Sequence, residues 1–151
     1  MKVKLSVSAI ENGTVIDHIP ATNVFRVIRI LNLEFDTQHQ LLFGDNLRSQ
    51  KYGRKGLIKV SDKFFEDKEV NKIAIVAPTA TIIEIRNYEI VSKKQVVVPN
   101  EIINIARCVN PNCITNVENI TPHLRIIDHE EMRLQCHYCE KITTQKNLSF
   151  I

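Results

Sequence analysis

Four cysteines constrain this chain more than any other feature. They stand as Cys108-x4-Cys113-x22-Cys136-x2-Cys139, and no cysteine precedes them. Two short loops, each presenting two thiols, can put four sulfurs at the corners of one tetrahedron. Zinc prefers that arrangement, with sulfur about 2.3 Å from the ion. Asn110-Pro111-Asn112 and His137-Tyr138 fill the loops, where turn formers and backbone N–H donors are needed to offset thiolate charge. Thiols clustered in a reducing compartment point to metal before disulfides. The spacing therefore predicts one structural zinc on Cys108, Cys113, Cys136 and Cys139, with four free buried cysteines as the alternative. A catalytic zinc leaves a position open and normally uses fewer thiolates. His137, the only histidine beside a ligand, reads as exposed loop and not as a fifth ligand.

A unit as small as residues 108–151 cannot bury much core alone, so the metal is its staple. Short β-rich segments run through it, Leu124 to Ile127, Met132 to Leu134 and Lys141 to Thr144. Pro99-Asn100 ends the preceding region, and 101–107 reads as a connector. The expected domains are 1–100 and 101–151.

In the first domain, Val3, Leu5, Val7 and Ala9 alternate with polar residues, as in a half-buried strand. Glu11-Asn12-Gly13 is a turn signal, and Thr14 to Ile19 is the returning strand. Pro20 and Thr22 or Asn23 open a helix with the apolar stripe Val24, Val27, Ile28 and Leu31. A long buried strand over Val24 to Leu33 is the weaker alternative, because Arg26 and Arg29 suit the polar side of a helix. Gln40 to Asn46 and Leu57 to Val60 read as strands. Arg48 to Gly56, polar with two glycines, reads as a loop. Asp67 to Ile73 is helical, with Val70 and Ile73 inward, until Ala77-Pro78 breaks it. Thr81 to Arg86 and Glu89 to Val98 form a hairpin around Asn87-Tyr88. Connections this short exclude most parallel crossovers. The fold class expected is α+β: an antiparallel sheet with two helices on one face, a ferredoxin-like sandwich, beside a small β-rich zinc domain.

With 44% hydrophobic and 25% charged residues among 151, the chain is neither disordered nor collagenous. No apolar run approaches the roughly 20 residues of a membrane span. The first residues alternate charge with apolar groups, unlike a secretion signal, so the cytosol is expected. The net charge of +3 is mild for a nucleic-acid binder. Residues 46–61 nevertheless hold Arg48, Lys51, Arg54, Lys55 and Lys59 and no acid; they either meet a small polyanion or form a solvated loop. No GxGxxG, Walker or GxSxG motif occurs, and four glycines cannot build a phosphate cradle. Asp17-His18 is an adjacent acid and base, but neighbours on a strand point to opposite faces. Nothing recommends an enzyme.

Taken in order, Gly13-Thr14-Val15-Ile16-Asp17-His18-Ile19, Gly53-Arg54-Lys55, Leu57-Ile58-Lys59, Ala77-Pro78, Asn87-Tyr88-Glu89 and the cysteines with Cys136-His137-Tyr138-Cys139-Glu140-Lys141 resemble the regulatory chain of aspartate carbamoyltransferase over nearly the whole length. The resemblance implies a non-catalytic subunit that binds CTP or ATP on its N-terminal domain and docks its zinc domain on the catalytic chain. It also implies pairing of regulatory chains through their N-terminal domains and feedback control of pyrimidine biosynthesis. Position by position, it implies that Ala9, Ile10, Val15 and Ile85 line the base and sugar pocket and that the Tyr88 backbone reads the base edge. Asp17 and Lys59 then serve the ribose side, and His18 and Lys93 the phosphates. Asn110, Asn112, Tyr138 and Glu140 match the surface facing the catalytic chain. The chain departs from the pattern at Ile83, where members carry a polar residue, at Glu84, where they carry a positive charge, and at Gln95, where a second cation can sit. A zinc-ribbon nucleic-acid-binding protein is the alternative reading, although the zinc unit is net negative and poor in aromatics.

Overall fold

A computed structural model of the chain describes residues 9–151. The strand expected from Val3 lies, except for Ala9, outside the described residues. The N-terminal region runs β1 (Gly13–Pro20), α1 (Val24–Ile30), β2 (Leu41–Ser49), β3 (Gly53–Ser61), α2 (Asp67–Val76), β4 (Thr81–Arg86) and β5 (Glu89–Gln95). The strands pair in the order β2-β3-β1-β4-β5, antiparallel at every junction. Without the edge strand β5 this is the ferredoxin-like βαββαβ arrangement.

Alternation along the strands divides the sheet into two faces. Ile16 of β1 pairs with Ile58 of β3 and with Ile82 of β4. These three join Val24, Val27 and Ile28 of α1 and Ile73, Ala74 and Val76 of α2 in one core, so both helices cover the same face. Ile16, Ile58, Val24 and Ile73 are completely buried. Burial of an isoleucine side chain contributes about 1.5–3 kcal/mol, which outweighs the modest helix propensity of the β-branched residues in α1. Glu66 and Glu69 form a reciprocal capping box at the start of α2, satisfying two orphan N–H groups. Pro78 forces Ala77 out of helical geometry, and the helix stops there.

The segment Arg48–Gly56, expected as a loop, is instead the tip of the β2–β3 hairpin, with Arg48 paired to Arg54 and Ser49 to Gly53. Its glycines answer two different needs. Gly53 sits at φ 78 beside the turn, where a side chain is strained. A Cβ at Gly56 would collide with Cγ2 of Val24, so the close approach of α1 requires the absence of a side chain.

The C-terminal region holds β6 (Glu101–Ile103), β7 (Ala106–Arg107), α3 (Ile114–Val117), β8 (His123–Asp128), β9 (Arg133–Cys136), β10 (Ile142–Thr144) and β11 (Ser149–Phe150). Four strands pair as β10-β9-β8-β6, and β11 pairs with β7. The expected connector 101–107 therefore contributes strands to two sheets. Ile102, Leu124, Met132 and Leu134 pack with three of the cysteines in a second core.

The two regions are joined at the C-terminal end of α2. Gln145 Nε2 donates to the carbonyls of Ile75 at 2.7 Å and Val76 at 3.4 Å. Arg26 Nη2 donates to Gln145 O at 2.6 Å and Lys72 Nζ to Ile151 O at 2.7 Å, while Asn23, from the same region as α2, donates its Nδ2 to Val76 O at 3.0 Å. Ile75, on α2, belongs to the second core, and Phe150 packs against both cores. Among the described residues no helix is long and apolar enough to cross a membrane.

Candidate functional site

The four cysteine sulfurs converge within 4.8 Å of one another. Cys108 and Cys113 flank the loop between β7 and α3, and Cys136 ends β9 with Cys139 one tight turn later. Cys108 and Cys139 approach to 3.5 Å and Cys113 and Cys136 to 3.6 Å. Disulfide sulfurs lie about 2.05 Å apart, whereas tetrahedral sulfurs around one zinc lie about 3.8 Å apart. The observed spacing fits shared metal ligands.

The surroundings fit as well. Backbone N–H groups of Asn110 and Tyr138 donate to the sulfurs of Cys108 and Cys136, both at 3.4 Å, and Thr115 Oγ1 donates to Cys113 at 3.2 Å. Burial pushes the Cys108 and Cys136 thiols up, against the pull of these N–H groups. At Cys139 burial also pushes up, but the Lys141 N–H, the Asn110 side chain and the neighbouring thiols outweigh it and bring the thiol down to about 7. The Cys108 and Cys136 thiols stay protonated without a cation, and a bound metal ion displaces their protons. His137 is exposed and stacks on His123 at 4.6 Å between ring centres; it is not part of the metal-ligand cluster. Thr115 escaped the sequence reading, although a hydroxyl two residues beyond a ligand cysteine is a legible signal.

The nucleotide candidates gather on the sheet face that carries no helix. Pairing sets Lys59 of β3 beside Val15 of β1, Val15 beside Ile83 of β4, and Ile83 beside Lys93 of β5. Residues opposite one another on paired strands share a face. This row thus crosses four strands, with a lysine at each end and apolar side chains between. Ile10, Val15 and Leu57 are buried there, with Leu47, Ile83 and Ile85 packed against them. Ile85 lies opposite Gly13, one step along the same face. Lys59 is held below the usual lysine range by desolvation, with Asp17 pulling the other way. Glu84 alternates with Ile83 onto the opposite face, opposite Thr14.

Asp17 and His18 behave differently from the expectation for strand neighbours. The β1–β3 register shifts between Ile16 and Ile19, and His18 adopts φ 57. This bulge brings His18 Nε2 to 4.0 Å from Asp17 Oδ2; bulges re-aim side chains in this way. His18 Nδ1 lies 3.0 Å from Thr81 Oγ1, and its ring meets the edge of Tyr52 at 5.7 Å. Asp17 Oδ1 accepts from the His18 N–H at 2.7 Å and from Lys55 Nζ at 2.8 Å. Lys55 and Tyr52 thus contact the candidate residues Asp17 and His18; position-by-position reading missed both, although Lys55 belongs to the basic cluster.

At the other end of the face, Tyr88 occupies the β4–β5 turn at φ 65. Its N–H donates to Glu11 O at 2.8 Å, which leaves the carbonyl as what its backbone can offer a base. The Tyr88 ring is exposed, as is Ala9 two residues before Glu11.

Asn110, Asn112, Tyr138 and Glu140 all lie on the metal-binding loops. Asn110 Oδ1 accepts from the Asn112 N–H at 3.0 Å, shaping its own turn. Tyr138 is 47% exposed and meets the His137 ring edge-on. Glu140, at φ 66, donates its N–H to Cys136 O.

Comparison with known proteins agrees with this geometry. Residues 5–97 match the family model of the aspartate carbamoyltransferase regulatory chain, allosteric domain, and residues 100–149 match that of the regulatory chain, metal binding domain. The chain is similar to the aspartate carbamoyltransferase regulatory chain of Phocaeicola vulgatus, 45% identical over 99% of this chain and 96% of the relative. It is 49% identical to that of Porphyromonas gingivalis over 93% and 92%, and 49% identical to that of Thermococcus sibiricus over 96% and 95%. The chain belongs to the family of aspartate carbamoyltransferase regulatory chains, and is a regulatory rather than a catalytic subunit.

Proposed function

We propose that this chain binds CTP or ATP on the helix-free face of its sheet and transmits that binding to the catalytic chain of aspartate carbamoyltransferase. The observation that carries the reading is the row Lys59–Val15–Ile83–Lys93, an apolar floor between two cations. A base and sugar would lie on Ile10, Val15 and Ile85, with the Tyr88 carbonyl at the base edge. Asp17 Oδ2 accepts a ribose hydroxyl, since Oδ1 already serves Lys55 and the His18 N–H. Lys59, Lys93 and His18 take the phosphates, to which cations donate charge-assisted bonds. Ile83 offers no polar group, so base discrimination rests on backbone.

In this reading, residues 1–100 form the effector domain and pair with the same domain of a second copy. Residues 101–151 hold one zinc on Cys108, Cys113, Cys136 and Cys139; the ion contributes cross-linking, and the chain's own N–H groups steady its ligands. Asn110, Asn112, Tyr138 and Glu140, with the exposed apolar Val109, Ile114 and Val117, face the catalytic chain. The working compartment is the cytoplasm, with no membrane or nucleic-acid partner; the zinc-ribbon reading is set aside because the family matches span almost the whole chain. An effector moves the catalytic equilibrium only by its difference in affinity for the two states, typically about 1–3 kcal/mol.

The test mixes zinc-loaded chain with carbamoyltransferase trimers from the same source and follows mass and aspartate saturation, with and without CTP or ATP. A larger complex whose saturation curve moves with nucleotide is expected, and Lys93→Gln should require about tenfold more nucleotide, the loss of one charge-assisted contact. A complex indifferent to both nucleotides would overturn the effector site. Failure of zinc-loaded chain to join the trimers would overturn the docking role.

A further inference from the structure

A second cationic site lies away from the sheet face just described. Between α1 and the C-terminal tail is a cleft of about 440 Å³ lined by Arg26, Arg29 and Lys146; its lining holds no acidic side chain, and Ile151, which also lines it, has its main-chain oxygen bonded by Lys72 Nζ at 2.7 Å. Ile30, Leu148 and Phe150 supply an apolar side. The volume is within the usual range of small-molecule sites, roughly 300–1,000 Å³. Arg26 is half-buried and uses one N–H to reach Gln145 O at 2.6 Å, a neutral acceptor that leaves its charge uncompensated. Among the described residues Arg29 meets only a distant carboxylate, Glu34 at 4.0 Å, and its side chain is 71% exposed. Lys146 has no acidic partner among the described residues. Charged side chains of a single sign along a cleft concentrate counter-ions, and guanidinium groups match phosphate oxygens two at a time.

We infer that this cleft binds a phosphate dianion, free or carried by a small metabolite, and that the anion bridges α1 to the tail. Arg26 anchors it from the floor, while Arg29 and Lys146 close on it from the two regions of the chain. The apolar side, Ile30 and Phe150, receives the organic part of a phosphate ester.

The test is calorimetric titration of zinc-loaded full chain carrying Lys93→Gln, which weakens the contribution of the sheet face, with inorganic phosphate and with phenyl phosphate. Saturable binding is expected, weakened at least tenfold when Arg29→Gln and Lys146→Gln are added. Both side chains are exposed, so these variants should fold, and an unchanged thermal unfolding profile checks this. Tighter binding of phenyl phosphate assigns a phosphorylated metabolite; equal binding assigns free phosphate. Absence of saturable binding, or binding unchanged by the added substitutions, would overturn the inference.

Discussion

The two halves of the chain solve the same problem with opposite means. The N-terminal half makes strands of six to nine residues and covers one sheet face with two helices, so apolar burial holds it. The C-terminal half makes strands of two to six residues, and three of its four cysteines are part of its core. One half is stabilised by the area it removes from water; the other adds a metal-binding cluster of four cysteines. Sensitivity to chelators should therefore belong to one half and sensitivity to cavities to the other.

Metal removal should break the comparison most. Structural zinc contributes about 10–16 kcal/mol in small zinc domains, more than a domain's usual stability. Chelation, or Cys136→Ser, should abolish amide protection across β8 and β9 and leave β1 and β3 protected. Hydrogen exchange read by mass spectrometry checks this, and equal loss in both halves would contradict it. Ile58→Ala should do the converse. Ile58 is fully buried in the middle of the larger core, and such truncations cost about 2–5 kcal/mol. Denaturant unfolding should show that loss while metal content per chain stays unchanged. The smallest effect should come from Gln145→Ala, which removes the bonds to Ile75 and Val76. A loss of about 1–2 kcal/mol is expected for lost hydrogen bonds of this kind, with separation of one calorimetric transition into two. A single, merely shifted transition would mean that apolar contacts alone couple the halves.

Legibility in the sequence followed the range of the interactions. The cysteine cluster was readable because two local spacings dictate it, and α1 and α2 were readable, unlike the short α3, because Val24, Val27 and Ile28 or Val70 and Ile73 repeat at helical intervals. Asn87-Tyr88 announced its hairpin, both residues taking positive φ in the turn. Gly53 and Gly56 misled, because each resembles a loop signal: one lies at the hairpin turn and the other makes room for Val24. The bulge that turns His18 toward Asp17 follows from pairing between distant strands, and no local pattern encodes it. Strand residues 101–107 were invisible for the same reason, since their partners lie at His123–Arg125 and Ser149–Phe150. Strand alternation alone places Glu84 on the face opposite Ile83.

The C-terminal end of α2 has a bearing on ancestry. Its last carbonyls are completed by Asn23 from one side and Gln145 from the other, and Ile75 is buried in the neighbouring core. A recombination event that paired this N-terminal half with an unrelated tail would leave the Ile75 carbonyl without its Gln145 donor and the Ile75 side chain facing water. The two halves use separable means of stabilisation, but they are not interchangeable parts; inheritance has to carry the seam along with both of them.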